Sequence, residues 1–225
     1  MGTRYDVTRR WWGVVAGSAH GSGSRPGGPA RESVGVVGEH ATVDNFKQLV
    51  ERVAAKAAES ERLRPPVSTE ALNEAEQRLG FPLHPLLAAL YSKVGNGGFG
   101  PMDALLPLSG NSNPDDEEAA VEGYLGRVPA TDADTWWSWP KGVLPILDWG
   151  CAMVACVDCR NDDGTVLLFE PNAISEQDLS RAWFVDAGSL AEWLETWLAG
   201  RGWYEEDVAD EGFDMAPWPE ASARL

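Results

Sequence analysis

Several things are scarce in this 225-residue chain, and each scarcity excludes a class of protein. It has three cysteines, at 151, 156 and 159. That is too few for a disulfide framework and points to a reducing, cytoplasmic setting. Histidine is equally sparse, at 20, 40 and 84, so no spaced pair of imidazoles is available for a metal. Cys156-Val157-Asp158-Cys159 matches the spacing of a zinc knuckle but lacks the other ligands, and along a strand positions 156 and 159 point to opposite faces. No apolar run approaches the eighteen or so residues of a membrane span. Positive charge is the largest deficit: 18 Lys+Arg face 35 Asp+Glu, a formal charge of -17. Such a chain would have to overcome the phosphate field of nucleic acid or anionic lipid, so direct binding to either is disfavoured and a basic protein partner is favoured. No Ser-His-Asp arrangement or phosphate loop is present, and the residues imply neither an enzyme nor a cofactor.

What is present suffices for a core: 44% of residues are hydrophobic and 9% aromatic. Residues 1–40, rich in Gly, Ser, Pro and Arg, read as a disordered arm unable to offset its own chain entropy. Thr8-Arg9-Arg10-Trp11-Trp12 echoes a twin-arginine export signal, but the apolar segment behind it, Trp11 to Ala16, is broken by Gly13 and too short. A native start between Val34 and Val43 accounts for the arm as well.

Residues 41–200 read as one α+β domain, with helices packed on one mainly antiparallel sheet. Thr42 to Glu59 predicts an amphipathic helix with Val43, Phe46, Leu49, Val50, Val53, Ala54 and Ala57 on one face. After Pro65-Pro66, Ser68 or Thr69 can cap a second helix that stops at Gly80. Pro85 opens a third helix, ended by Gly95-Asn96-Gly97-Gly98. The run 95–100 satisfies GxGxxG but follows a helix and leads toward Leu105–Leu108, read as a strand. It is therefore a turn and no dinucleotide cradle. Asp115-Asp116-Glu117-Glu118 charges the first turn of a helix reaching Leu125. Arg127 to Pro140 reads as a loop holding Asp132, Asp134, Trp136, Trp137 and Trp139. Strands are expected at 142–147, 152–157, 165–169 and 182–185, with a tight turn at Asn161–Gly164, and a last helix at 189–199. Residues 201–225 form an acidic, aromatic tail that either docks on a basic partner or packs on its own sheet.

Glu76-x-x-Leu79-Gly80-x-x-Leu83, then Leu87-x-x-Leu90-Tyr91, then Asn96-Gly97-Gly98, resembles the opening of the SUKH (SMI–KNR) superfamily. The succession of strands and the final helix is similar too, so the resemblance spans about residues 66–199. Two departures stand out: Leu83-His84-Pro85 replaces the usual Leu-Pro step, and Asp148-Trp149-Gly150-Cys151 replaces the usual small acidic turn. The resemblance implies a non-enzymatic protein-binding scaffold. Bacterial members are mostly immunity proteins against secreted toxins, while fungal relatives regulate cell-wall synthesis. It thus implies binding and neutralisation of a cognate toxin domain in the cytoplasm, with a regulatory or scaffold module as the alternative. The acidic and aromatic side chains Asp115, Asp116, Glu117, Glu118, Asp132, Asp134, Trp136, Trp137 and Trp139 are the partner-binding candidates, because indoles anchor interfaces and carboxylates meet a basic surface. Glu76 reads as a carboxylate at the rim of the core; a catalytic role would require a second titratable group beside it.

Overall fold

A computed structural model describes residues 37–110, 118–129, 136–205 and 215–225. The arm expected over residues 1–40 lies outside the described residues as far as 36. Helix α1 (Val37–Ala57) then starts five residues before the expected Thr42. It buries Leu49, Val50, Val53 and Ala57. Helix α2 (Thr69–Leu79) is capped by Ser68, whose hydroxyl accepts from Ala71 N at 3.2 Å, and ends where Gly80 turns left-handed at φ 75°. Helix α3 (Pro85–Lys93) begins on its proline and buries Leu86, Leu87, Ala89, Leu90 and Tyr91.

His84 stands just before α3, and its ring ties that helix to the turn between two strands of the sheet: its Nε2 lies 3.0 Å from Asp162 O. Leu105–Leu108 is not a strand. One bridge, Leu105 to Leu147, and a bond from Leu106 N to Ile146 O (2.8 Å) hold it beside the sheet. Pro107 has no N–H to extend such a ladder. Helix α4 (Ala120–Arg127) starts later than the acidic run implied, so Glu118 precedes it and Glu122 occupies its first turn.

The sheet is a meander of five antiparallel strands in chain order: β1 (Val143–Gly150), β2 (Met153–Asp158), β3 (Val166–Phe169), β4 (Trp183–Ala187) and the two-residue β5 (Ala216–Pro217). Helix α5 (Leu190–Leu198) follows β4. Ser189 caps it, accepting from Glu192 N at 3.0 Å, while the Glu192 carboxylate accepts from Gly188 N at 3.1 Å. A short helix α6 (Ala221–Arg224) closes the described chain. The helices pack with this sheet as an α+β fold, and among the described residues no helix is long and apolar enough to cross a membrane.

All six residues of β2 are buried, so both of its faces are covered. What covers each face follows from strand alternation. In β4, Phe184 and Asp186 point one way, and Asp186 accepts from Trp193 Nε1 of α5 at 2.9 Å. Trp183 points the other way. Its ring lies 4.8 Å from Trp139, 5.0 Å from Phe169 and 5.9 Å from Trp218. The far face of the sheet therefore carries a layer of tryptophans, drawn from the 136–140 loop and the C-terminal segment. On that same face Asp158, 2% exposed, receives both Arg224 guanidinium nitrogens, at 2.8 and 3.1 Å.

Candidate partner-binding surface

The residues that define the scaffold are all engaged in holding it. Gly98 approaches the backbone so closely that a Cβ there would lie 1.9 Å from Arg62 O, and one at Gly97 would lie 2.6 Å from Leu105 O. Asn96 Oδ1 accepts from Leu108 N at 2.7 Å, and Asn96 N reaches the carbonyls of Arg64 and Pro65. The Asn96-Gly97-Gly98 turn is thus a junction of three backbone segments, closed to a phosphate. Tyr91 is fully buried and donates to Leu106 O at 3.0 Å. Leu79 and Leu83 lie in the core. Half-buried Glu76 accepts from Leu83 N at 2.9 Å, so its carboxylate fixes the link between α2 and α3. The shallow recess beside it is lined by Asn73, Gln77, Phe81 and Pro82, and none of these titrates. That geometry places Glu76 at the rim of the core.

Cys156 is fully buried, and burial pushes the Cys159 thiol up to about 12. Both thiols are held protonated at neutral pH, the form that neither attacks nor binds metal well. Among the described residues no group of three or more His, Cys, Asp or Glu is arranged to hold a metal ion.

The partner-binding candidates divide sharply. Asp115, Asp116, Glu117, Asp132 and Asp134 lie outside the described residues. Trp139 is 5% exposed, with its Nε1 donating to Val143 O at 2.8 Å, and belongs to the tryptophan layer. Trp137 is half-buried. It donates to Arg127 O at 2.8 Å and stacks 6.4 Å from Trp139. Trp136 alone of the three is open to solvent, 53% exposed and set edge-on to Trp137 at 5.8 Å. Glu118 is exposed and ion-paired with Arg127 at 2.9 Å, and that guanidinium sits 5.5 Å from the Trp139 ring centre.

Two residues that the sequence reading passed over accompany Trp136. Leu125 and Val128 are exposed, three positions apart, and so project from one side at the end of α4. Arg127, between them in sequence, accepts Trp137 at its carbonyl, which ties the Trp136–Trp137 pair to this end of the helix. No sequence signal marked them: Val121, Tyr124, Leu125 and Val128 follow the i, i+3, i+4, i+7 spacing of a single helix face, yet only Val121 and Tyr124 are buried. This end of α4 thus exposes two aliphatic side chains, with Glu118 paired to Arg127 and the exposed Trp136 indole held nearby through Trp137.

No curated protein matches the chain. The model of the SMI1 / KNR4 family (SUKH-1) matches residues 66–196, more than half of its length and the whole span from α2 nearly to the end of α5. By its scaffold residues, its sheet and that match, this chain belongs to the SMI1 / KNR4 (SUKH-1) family.

Proposed function

We propose that this protein is an immunity protein, which binds a cognate toxin domain in the cytoplasm and blocks its active site or its access to substrate. The observation that carries the reading is membership of the SUKH-1 family combined with a charge of -17. A toxin domain with a basic cleft, such as a nuclease, would be steered to this surface and held where charges are desolvated. The contacts proposed are Trp136, Leu125, Val128 and Glu118, with Asp115, Asp116, Glu117, Asp132 and Asp134 from the flanking acidic segments.

The test is to mix the purified protein with the toxin domain encoded beside its gene, at moderate salt, and measure both affinity and residual toxin activity. A one-to-one complex that abolishes activity is the expected result. In Trp136→Ala, binding should weaken about tenfold or more, while stability changes by less than about 0.5 kcal/mol, because an exposed side chain supports little of the fold. Absence of binding sinks the proposal. A gene with no toxin beside it, and a host protein as partner, would favour a regulatory module instead.

A further inference from the structure

The chain from Phe99 to Leu105 forms a closed knuckle. Gly98 N donates to Leu105 O (2.9 Å), Leu105 N donates to Phe99 O (2.8 Å), and Phe99 is fully buried as the anchor. At the tip, Ala104 N donates to Pro101 O (3.1 Å), and the two residues between, Met102 and Asp103, both have φ of 54°. Positive φ at both central positions is the type I′ turn, for which Asn and Gly are the low-energy residues. Other residues bring Cβ against a carbonyl oxygen there. Cys151–Ala152 and Glu176–Gln177 also pair two positive φ values. Among the described residues, only at the knuckle does such a turn lift a large apolar side chain into solvent. Met102 is 60% exposed, more than any other large hydrophobic among the described residues.

Burial does not explain Met102, and backbone preference opposes it. Strain retained at an exposed position is a sign that the side chain is used. The surroundings indicate for what. A recess beside Met102 is lined by Lys56, Glu59, Ser60, Asp103 and Trp197. Lys56 is engaged within it, its Nζ donating to Trp197 O at 2.7 Å and standing 4.6 Å above that ring. The carboxylates of Glu59 and Asp103 supply its other charges. We infer that the Met102 knuckle is a preformed docking point for a protein partner that offers an apolar socket with a basic rim. Met102 enters the socket, adapting its unbranched thioether to the shape it meets, and Glu59 and Asp103 face the rim. Because the loop is already closed by its own hydrogen bonds, little ordering remains to oppose binding. The inference rests on the toxin-binding reading and adds a contact distinct from Trp136.

The experiment titrates the full chain, as wild type, Met102→Asn and Met102→Leu, into the toxin domain encoded beside its gene, and records Tm for each variant. Asn tolerates positive φ, so Met102→Asn should leave Tm unchanged or raise it by up to about 4 °C, yet weaken binding about tenfold or more. Met102→Leu should bind within about threefold of wild type, since it keeps the apolar volume. Binding by Met102→Asn equal to wild type overturns this inference alone. So does a fall in its Tm of several degrees, which would assign Met102 to the fold. No binding by the wild type would overturn this inference and the immunity reading together.

Discussion

Asp186 shows how much one side chain's surroundings decide. It sits on β4 facing α5, and burial pushes its carboxyl up to about 6, against the pull of the Trp193 and Trp203 indoles. Its ordinary value is about 3.9. Between these two values the folded state holds the proton more firmly than the unfolded chain, so this group's contribution to stability is full below about pH 4 and is lost as pH rises through 6. Asp186→Asn keeps an acceptor for Trp193 without the charge. Relative to wild type it should therefore gain about 2–3 kcal/mol between pH 4 and pH 7.5, read from denaturant midpoints across that range. A constant difference across pH would refute the assignment. Sequence could not have singled out Asp186 among 35 acidic residues, because its neighbours Trp193 and Trp203 come from later in the chain. Glu76, by contrast, was legible as a rim carboxylate, because helical spacing puts it on one face with Leu72, Ala75 and Leu79.

Among the elements, the C-terminal segment depends most on tertiary context. Its acidic, aromatic composition left open whether it meets a partner or its own sheet. In the described part, Trp218 is buried against Trp183, β5 pairs with β4, and Arg224 neutralises buried Asp158. The same guanidinium reaches Lys141 O at 3.0 Å and lies 5.1 Å from the Trp218 ring centre, so α6 is fastened to the turn before β1, to β2 and to the tryptophan layer together. Removing one member of a buried pair leaves the other charge uncompensated. Arg224→Ala should thus destabilise the fold by about 3 kcal/mol, whereas Arg224→Ala with Asp158→Asn should recover part of that loss. Equal stability of Arg224→Ala and wild type by urea unfolding would show that α6 is dispensable. The 136–140 loop carries the same lesson. Trp136, Trp137 and Trp139 look alike in sequence, yet the layer they build leaves one indole outside and takes another into the core.

For the whole molecule, charge is the dominant property. Contacts between an acidic surface and a basic partner are screened beyond about 8 Å at physiological ionic strength, while apolar contacts are not. Association with a basic toxin domain should slow by about tenfold or more between 50 and 500 mM salt, with dissociation changing much less. Stopped-flow mixing at several salt concentrations reads both. A salt-independent association rate would argue for a neutral partner and an interface dominated by the Met102 and Trp136 side chains.

The scaffold was determined by the sequence itself. Ser68 and Gly80 bound a helix, Asn96-Gly97-Gly98 makes a junction, and strand-length apolar runs with a turn at Asn161–Gly164 build a meander, because caps, turns and periodicity act between residues close in the chain. Charge, too, is a property of composition alone. The tertiary structure decided which apolar residues remain outside. Trp139 and Trp136 differ only in what lies over them, and Met102 is exposed because a turn pinned by Gly98 and Leu105 holds it there. Burial depends on segments far apart in sequence meeting in space, and the protein's candidate contacts are the side chains that this meeting leaves uncovered.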